Sequence, residues 1–510
     1  MEKPLPKNWL FTSLQTVAKI NPTLNKTGLD DNLLISFVPM PAVEAETGKI
    51  DVKQLRKFGE VKKGYTSFQM NDVLFAKITP CMENGKMAVA PDLHNHLGFG
   101  STEFHVLRAH NGIEAKFIYY FVSSGEFRQN CEHNMTGAVG QRRVPTSYLE
   151  QYHIPIPPTN EQRRIVAKIE ELFSELDKGI ENLKAVHEQL KVYRQAVLKY
   201  AFEGKLTEKW RKRNKGKIPS SEKLIDWIRS EREAFYNQQL KKWENDKAKA
   251  KVSPKPRKPK DLKPFKGDDF SWLFDLPKGW IWERLGWMSS GIEYGTSAKS
   301  VGTGKVPVLR MGNIQNMKFD WDDLVYTADK DEISTYLLHA GDVLFNRTNS
   351  PELVGKTAIY KGERPAIFAG YLIRVNNLAS IVDSQYLNFF LNCHIAKQHG
   401  NSVKTDGVNQ SNINGDKLAN YPFPFCSLEE QKVIVAVLEE QISLIDKMET
   451  DVDSQIKKSD ALRQAILKKA FSGQLVNQNP KDEPADILLE HIRAEKEDTR
   501  RKYKGKRSAA

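Results

Sequence analysis

Apolar residues recur at alternating steps of three and four along two long stretches of the chain. In the first, Ile165, Ile169, Leu172, Leu176, Ile180, Leu183, Val186, Leu190, Tyr193 and Val197 form one stripe among charged and polar positions. In the second, Ile434, Leu438, Ile445, Val452, Leu462 and Ile466 keep the same phase, with polar Gln441 and Ser459 interrupting it. Such spacing is that of a coiled-coil seam and predicts one long helix in each stretch. A proline-containing segment precedes each helix, and Gly204 or Gly473 follows it, glycine being the usual helix stop. A helix of about 40 residues is roughly 60 Å long. So narrow a stripe cannot bury itself, and the nearest partner for each helix is its own repeat. The two stretches are indeed copies: Glu161 to Leu206 aligns without a gap on Glu430 to Leu475.

The segment before each helix is duplicated as well. Residues 1–158 recur at 276–426, opening with Leu5-Pro-Lys-Asn-Trp9 against Leu276-Pro-Lys-Gly-Trp280. Asn71-Asp72-Val73-Leu74-Phe75 answers Gly341-Asp342-Val343-Leu344-Phe345, and Gly85-Lys86 answers Gly355-Lys356. The β-branched and aromatic runs after Asp72 and Asp342 read as buried strands. Each runs into a polar loop, and near the end of each copy a second loop follows, Thr136 to Arg143 against Thr405 to Asn412. Lys116-Phe117-Ile118 and Gln385-Tyr386-Leu387 each open an aromatic helical run. The chain therefore divides into a first α/β domain (1–158), a first long helix (159–206) and a connector (207–275). A second α/β domain (276–426), a second long helix (427–475) and a C-terminal segment (476–510) complete it. A short helix recurs too, Ser221 to Arg229 resembling Asp486 to Arg493. Lys247 to Lys266, rich in lysine and proline, reads as an extended, disordered tether, and the residues after about 495 as a basic tail.

With 510 residues the chain exceeds one core, and 40% hydrophobic with 28% charged residues is ordinary for a soluble protein. No apolar run is long enough for a bilayer and the N-terminus lacks a signal-peptide core, which places the chain in the cytoplasm. The four cysteines are scattered, with no paired spacing for zinc or redox chemistry. A formal charge of +13 points to a polyanionic partner. Catalytic patterns are poor. Asp92, Glu114 and Lys116 outline a magnesium-dependent nuclease site, but the second copy has Asp383-Ser-Gln385 where the first has Glu114-Ala-Lys116. Gly302-Thr-Gly-Lys305 lacks the remainder of a phosphate loop.

The ordered, doubled set of motifs resembles the specificity subunit of type I restriction-modification enzymes over nearly the whole chain. The set comprises a strand ending D-V-L-F, a T-G loop with glutamine, a proline-rich I-P-I-P-P or Y-P-F-P segment, an E-Q helix start and an A-F-x-G-x-L helix end. The resemblance implies two α/β (α+β) target-recognition domains, separated by two long helices packed antiparallel as a coiled coil, with pseudo-two-fold symmetry. It implies a non-catalytic DNA-recognition subunit, each domain reading half of a split, asymmetric site in double-stranded DNA. Two methyltransferase and two motor-nuclease subunits are the implied partners, carrying S-adenosylmethionine, ATP and magnesium, so that this chain needs no cofactor. Two other readings are a self-sufficient nuclease and a coiled-coil assembly protein without sequence preference.

The repeat also sorts residues by role. Asp72/Asp342, Gly85/Gly355 and Gln141/Gln410 agree between copies and suit scaffolding or backbone positioning, Gln141 and Gln410 from loops that face DNA. Lys77, Thr79, Arg142 and Arg143 differ from Asn346, Arg347, Asn349, Ser411 and Asn412, and suit base readout, since arginine grips guanine and asparagine grips adenine. Ile169, Leu176, Leu183, Leu438, Ile445 and Val452 are assigned to the spacer helices and partner docking.

Overall fold

A computed structural model of the chain describes residues 5–138, 140–248, 254–258 and 272–507. The tether expected at Lys247 to Lys266 lies largely outside the described residues. Both apolar stripes are continuous helices, Thr159–Phe202 and Leu428–Phe471, each of 44 residues. The chain falls into two compact units, Met1–Lys184 with Val452–Ala510, and Ala185–Asp451. Each unit thus holds one domain, the first half of the helix that follows it and the second half of the helix from the other copy.

Within both units the half-helices pack antiparallel. In the first, Ile165 and Ile169 share a core with Ile466, Leu467 and Ala470; in the second, Val197, Leu198 and Ala201 share one with Ile434, Leu438 and Ile442. An ion pair repeats at equivalent positions, Arg463 with Asp177 in the first unit and Arg194 with Asp446 at 2.7 Å in the second. The seam is less regular than the stripe suggests: Val186, Tyr193 and Leu462 are exposed. A straight α-helix drifts about 20° per heptad from a 3.5-residue repeat, so a long stripe turns away from the packed face.

The domains share one topology. In the first, Val73–Ala76 lies inside a four-stranded antiparallel sheet ordered Ala18–Ile20, Phe104–Ala109, Val73–Ala76, Met87–Val89. In the second the order is Ser289–Tyr294, Leu372–Asn377, Val343–Asn346, Thr357–Ile359. All four residues of each inner strand are buried, which accounts for their unbroken apolar run. A second sheet contains the parallel pairing of Ser36–Val38 with Gly98–Gly100 in the first domain and of Val308–Leu309 with Ile367–Phe368 in the second. The ends of each domain are joined by a strand pair, Leu10–Ser13 with His153–Ile156 and Ile281–Arg284 with Pro422–Phe425.

The shared motifs turn out to be fasteners. Gln162 accepts the Glu114 N–H through Oε1 (2.9 Å) and donates to the Pro157 carbonyl (3.0 Å). Gln431 does the same with the Asp383 N–H and the carbonyls of Ile381 and Cys426. Both glutamines are fully buried, so the E-Q helix start staples each long helix to its domain. At the far ends, Phe202 packs edge-on against Tyr386 and Phe390 (5.1 and 5.4 Å between ring centres), and Phe471 against Phe117 and Phe121 (5.2 Å each). Gly204 and Gly473 follow at φ of +71° and +70°, where a methyl group would collide with Pro277 and Pro6. Hence the A-F-x-G-x-L end and the Leu-Pro-Lys-x-Trp opening are two sides of one contact.

The short repeated helices close the cores. Leu224 and Ile228 of Ser221–Ala248 enter the second, and Leu488, Leu489 and Ile492 of Ala485–Arg507 enter the first. The latter helix runs through to Arg507, so the basic residues after 495 continue a helix rather than a free tail. All four cysteines are free thiols, and burial pushes Cys131 and Cys393 up to about 12, leaving them protonated at neutral pH. Truncation of Phe202 to alanine is expected to cost about 3–5 kcal/mol and to strip hydrogen-exchange protection from Ser384–Leu391. A loss below about 1 kcal/mol would contradict the clamp.

Candidate nucleic-acid interface

The two polar loops singled out in each copy are brought together as one small antiparallel sheet. In the first domain Arg143 bridges both Ile78 and Thr136, the Thr79 N–H donates to the Arg142 carbonyl (3.0 Å), and the Val144 N–H to the Lys77 carbonyl (2.9 Å). In the second, Thr348–Asn349 pairs with Ser411–Asn412, which pairs with Thr405–Asp406. The D-V-L-F strand thus leads from the buried sheet directly into the base of a hairpin. Each hairpin closes on a turn, with the Gln141 N–H donating to Ala138 (2.9 Å) and the Gly407 N–H to Gln410 (2.7 Å).

Several side chains expected to read bases hold this support in place. Arg143 makes a paired contact with Glu103, both distances 2.9 Å, and its hydrogen bond holds the Glu103 carboxyl below the usual carboxylate range. Thr79 donates to Glu83 (3.1 Å), and Arg142 lies 3.9 Å from the same carboxylate. In the second domain Ser411 is buried and donates to Asp406, while Asn412 donates to Thr348 Oγ1 (2.7 Å). The Arg347 guanidinium stacks over Tyr294, 4.8 Å from the ring centre, and Asn349 Oδ1 accepts the Ser350 N–H. Asn346 is fully buried, and neither atom of its amide has a hydrogen-bond partner. Gln141 and Gln410 are exposed at the hairpin tips.

Sequence reasoning passed over two features. Lys77 lines a polar cleft of about 450 Å³ with Asn21, Lys26, Tyr65 and Ser67, residues far away in the chain and lacking any common motif. Val408 is fully exposed at the second hairpin tip; its signal was an apolar residue shared by two polar loops. The nuclease outline dissolves, because Glu114 pairs with Arg163 (2.7 Å), Lys116 with Glu170 (2.5 Å), and Asp92 sits in an exposed loop beside His96. Among the described residues no group of three or more His, Cys, Asp or Glu is placed to hold a metal ion.

The arrangement defines a class: a binding protein that uses one domain twice, each copy a buried sheet that feeds a polar-tipped hairpin and packs on halves of both long helices. The chain belongs to the type I restriction modification DNA specificity domain family, whose pattern matches residues 6–185 and 296–458, more than half of its length. It is 28% identical over 503 residues to the type I restriction enzyme EcoEI specificity subunit of Escherichia coli, covering 91% of this chain and 84% of that one. The EcoKI specificity subunit of Escherichia coli strain K12 is 26% identical over 517 residues, covering 96% of both chains. The fold matches that of the HsdS subunit from Thermoanaerobacter tengcongensis at a TM-score of 0.52 and 20% identity, over 92% of this chain and 98% of that one. A chain solved for the complex assembly and conformational transition of the type I R-M system matches at 0.65 and 20% identity, over 92% and 100%. The chain is accordingly a specificity subunit, which recognises DNA sequence and leaves catalysis to partner subunits.

Asn346 permits a direct test. Its counterpart in the first domain is Ala76, and an unsatisfied buried amide costs about 1–3 kcal/mol. Asn346→Ala is therefore expected to raise the melting temperature or leave it unchanged, with the recognised bases the same. A changed half-site in the methylated motif would show instead that this amide turns out to DNA.

Proposed function

We propose that this chain reads a split, asymmetric site in double-stranded DNA, one half with each recognition domain. The observation that carries the reading is sameness of support with difference of side chains: equivalent hairpin sheets carry Lys77, Arg142 and Arg143 in one domain and Arg347 and Asn412 in the other, where buried Ser411 holds the hairpin. Paired hydrogen bonds from arginine to guanine and from asparagine to adenine distinguish bases in the major groove. Thr79 belongs to the first reader and Asn349 to the second, exposed Gln141 and Gln410 touch DNA from the hairpin tips, and buried Asn346 lies outside the reading surface. The charge of +13 favours DNA over neutral partners.

Two methyltransferase subunits dock along the paired helices and methylate adenine in the recognised site. With two motor-nuclease subunits the complex cuts unmodified DNA, and S-adenosylmethionine, ATP and magnesium are bound by those partners. Support for docking comes from an apolar groove of about 420 Å³ in the first unit, lined by Leu172, Leu176, Leu183, Leu462 and Ile466. Leu176 and Leu183 are half-buried there, whereas Ile169, Leu438, Ile445 and Val452 are buried within the chain and serve its own packing. No described helix is long and apolar enough to cross a membrane, and the complex works on DNA in the cytoplasm.

Exchange of residues 1–158 for the equivalent domain of a relative, keeping Pro6, Trp9, Phe117 and Phe121 for the helix clamp, is expected to change one half of the methylated motif. Sequencing of methylated DNA reads the result directly. Simultaneous change of both halves would overturn the two-reader account.

A further inference from the structure

We propose that the hairpin tip of the second recognition domain is a wedge that presses Val408 against the base stack and bends the DNA, whichever half-site the domain reads. The inference rests on the domains being DNA readers, as argued above. Val408 is 100% exposed, and its neighbours Gly407, Asn409 and Gln410 are exposed with it. A single exposed apolar residue is ordinary on a protein surface. This one stands on a support that is tied at every level. Ser411 donates to Asp406, Asn412 to Thr348 (2.7 Å), Lys417 to the Thr405 hydroxyl (2.6 Å), and the Gly407 N–H to the Gln410 carbonyl (2.7 Å). The tip is therefore held away from the protein, and no described side chain covers the valine.

The repeat supplies the second observation. Thr136 to Arg143 and Thr405 to Asn412 agree at three positions only, which in the second hairpin are Thr405, Val408 and Gln410. Thr405 is accounted for by its strand pairing and by Lys417. The side chains of Val408 and Gln410 are exposed at the tip and take no part in the hydrogen bonds that hold the hairpin. Differences between the hairpins suit different half-sites, so what they share suits a feature common to any DNA. An apolar side chain has no complement on phosphate, and in the major groove it meets only the thymine methyl, which would select a base. Its sequence-neutral complement is the edge of a base step in the minor groove, where apolar side chains wedge between bases and kink the duplex. Gln410 beside it matches the degenerate acceptors of that groove.

The test is energy transfer between dyes at the ends of the cognate duplex, bound to the intact methyltransferase complex carrying Val408→Ser or Val408→Leu. The serine variant is expected to bind about tenfold more weakly and to leave the DNA straighter, while the leucine variant keeps the bend and both methylate the parental bases. A serine variant with the parental affinity and bend, or a changed half-site in either variant, overturns the wedge. A parental complex that prefers a split site but leaves it straight sinks the wedge alone. A parental complex with no preference for any split site sinks the reading of the domains as DNA readers.

Discussion

The core of each recognition domain is completed by the end of the helix that belongs to the other copy. Phe202 closes on Tyr386 and Phe390, Phe471 on Phe117 and Phe121, and a glycine in the left-handed conformation lets the chain turn under Pro277 or Pro6. Burying one such ring is worth about 1.5–3 kcal/mol. Neither copy supplies its own ring, so a single copy would leave both its domain and its helix end with exposed apolar surface. The buried glutamine at the opposite end of each helix adds a polar lock, since losing it would strand backbone groups of the domain without partners. Within each unit the two fasteners thus tie the domain to both of its half-helices.

Two tasks are separated along the chain. Residues common to both copies build the support: Asp72 grips Arg108 and Asp342 grips Arg374, each tying neighbouring strands of the inner sheet. Residues that differ sit on the hairpin sheet at the end of the same strand. A substitution at an exposed position there alters what is read, whereas Arg143, paired with Glu103, and buried Ser411 also hold the hairpin in place.

Much of this was legible in the residues. The apolar stripe showed the helices, the unbroken Val-Leu-Phe run showed the inner strands, and the gapless repeat showed that one unit is used twice. The purpose of the E-Q and A-F-x-G-x-L motifs was not legible, because their partners lie in segments distant in the chain, Glu114 for Gln162 and Tyr386 for Phe202. For the same reason the sequence could not tell that Arg143 is occupied by Glu103, or that Asn346 is buried. Residue type reveals what a side chain is able to bind; only the fold decides whether it is free to do so.

The central claim is that two related readers in one chain recognise two separate stretches of DNA. It is tested most directly by mapping methylated adenines in DNA from cells that carry this chain and its methyltransferase as their only modification system. The account predicts one motif made of two different short half-sites, separated by a fixed number of unspecified base pairs. A continuous motif, or methylation without a motif, would contradict it.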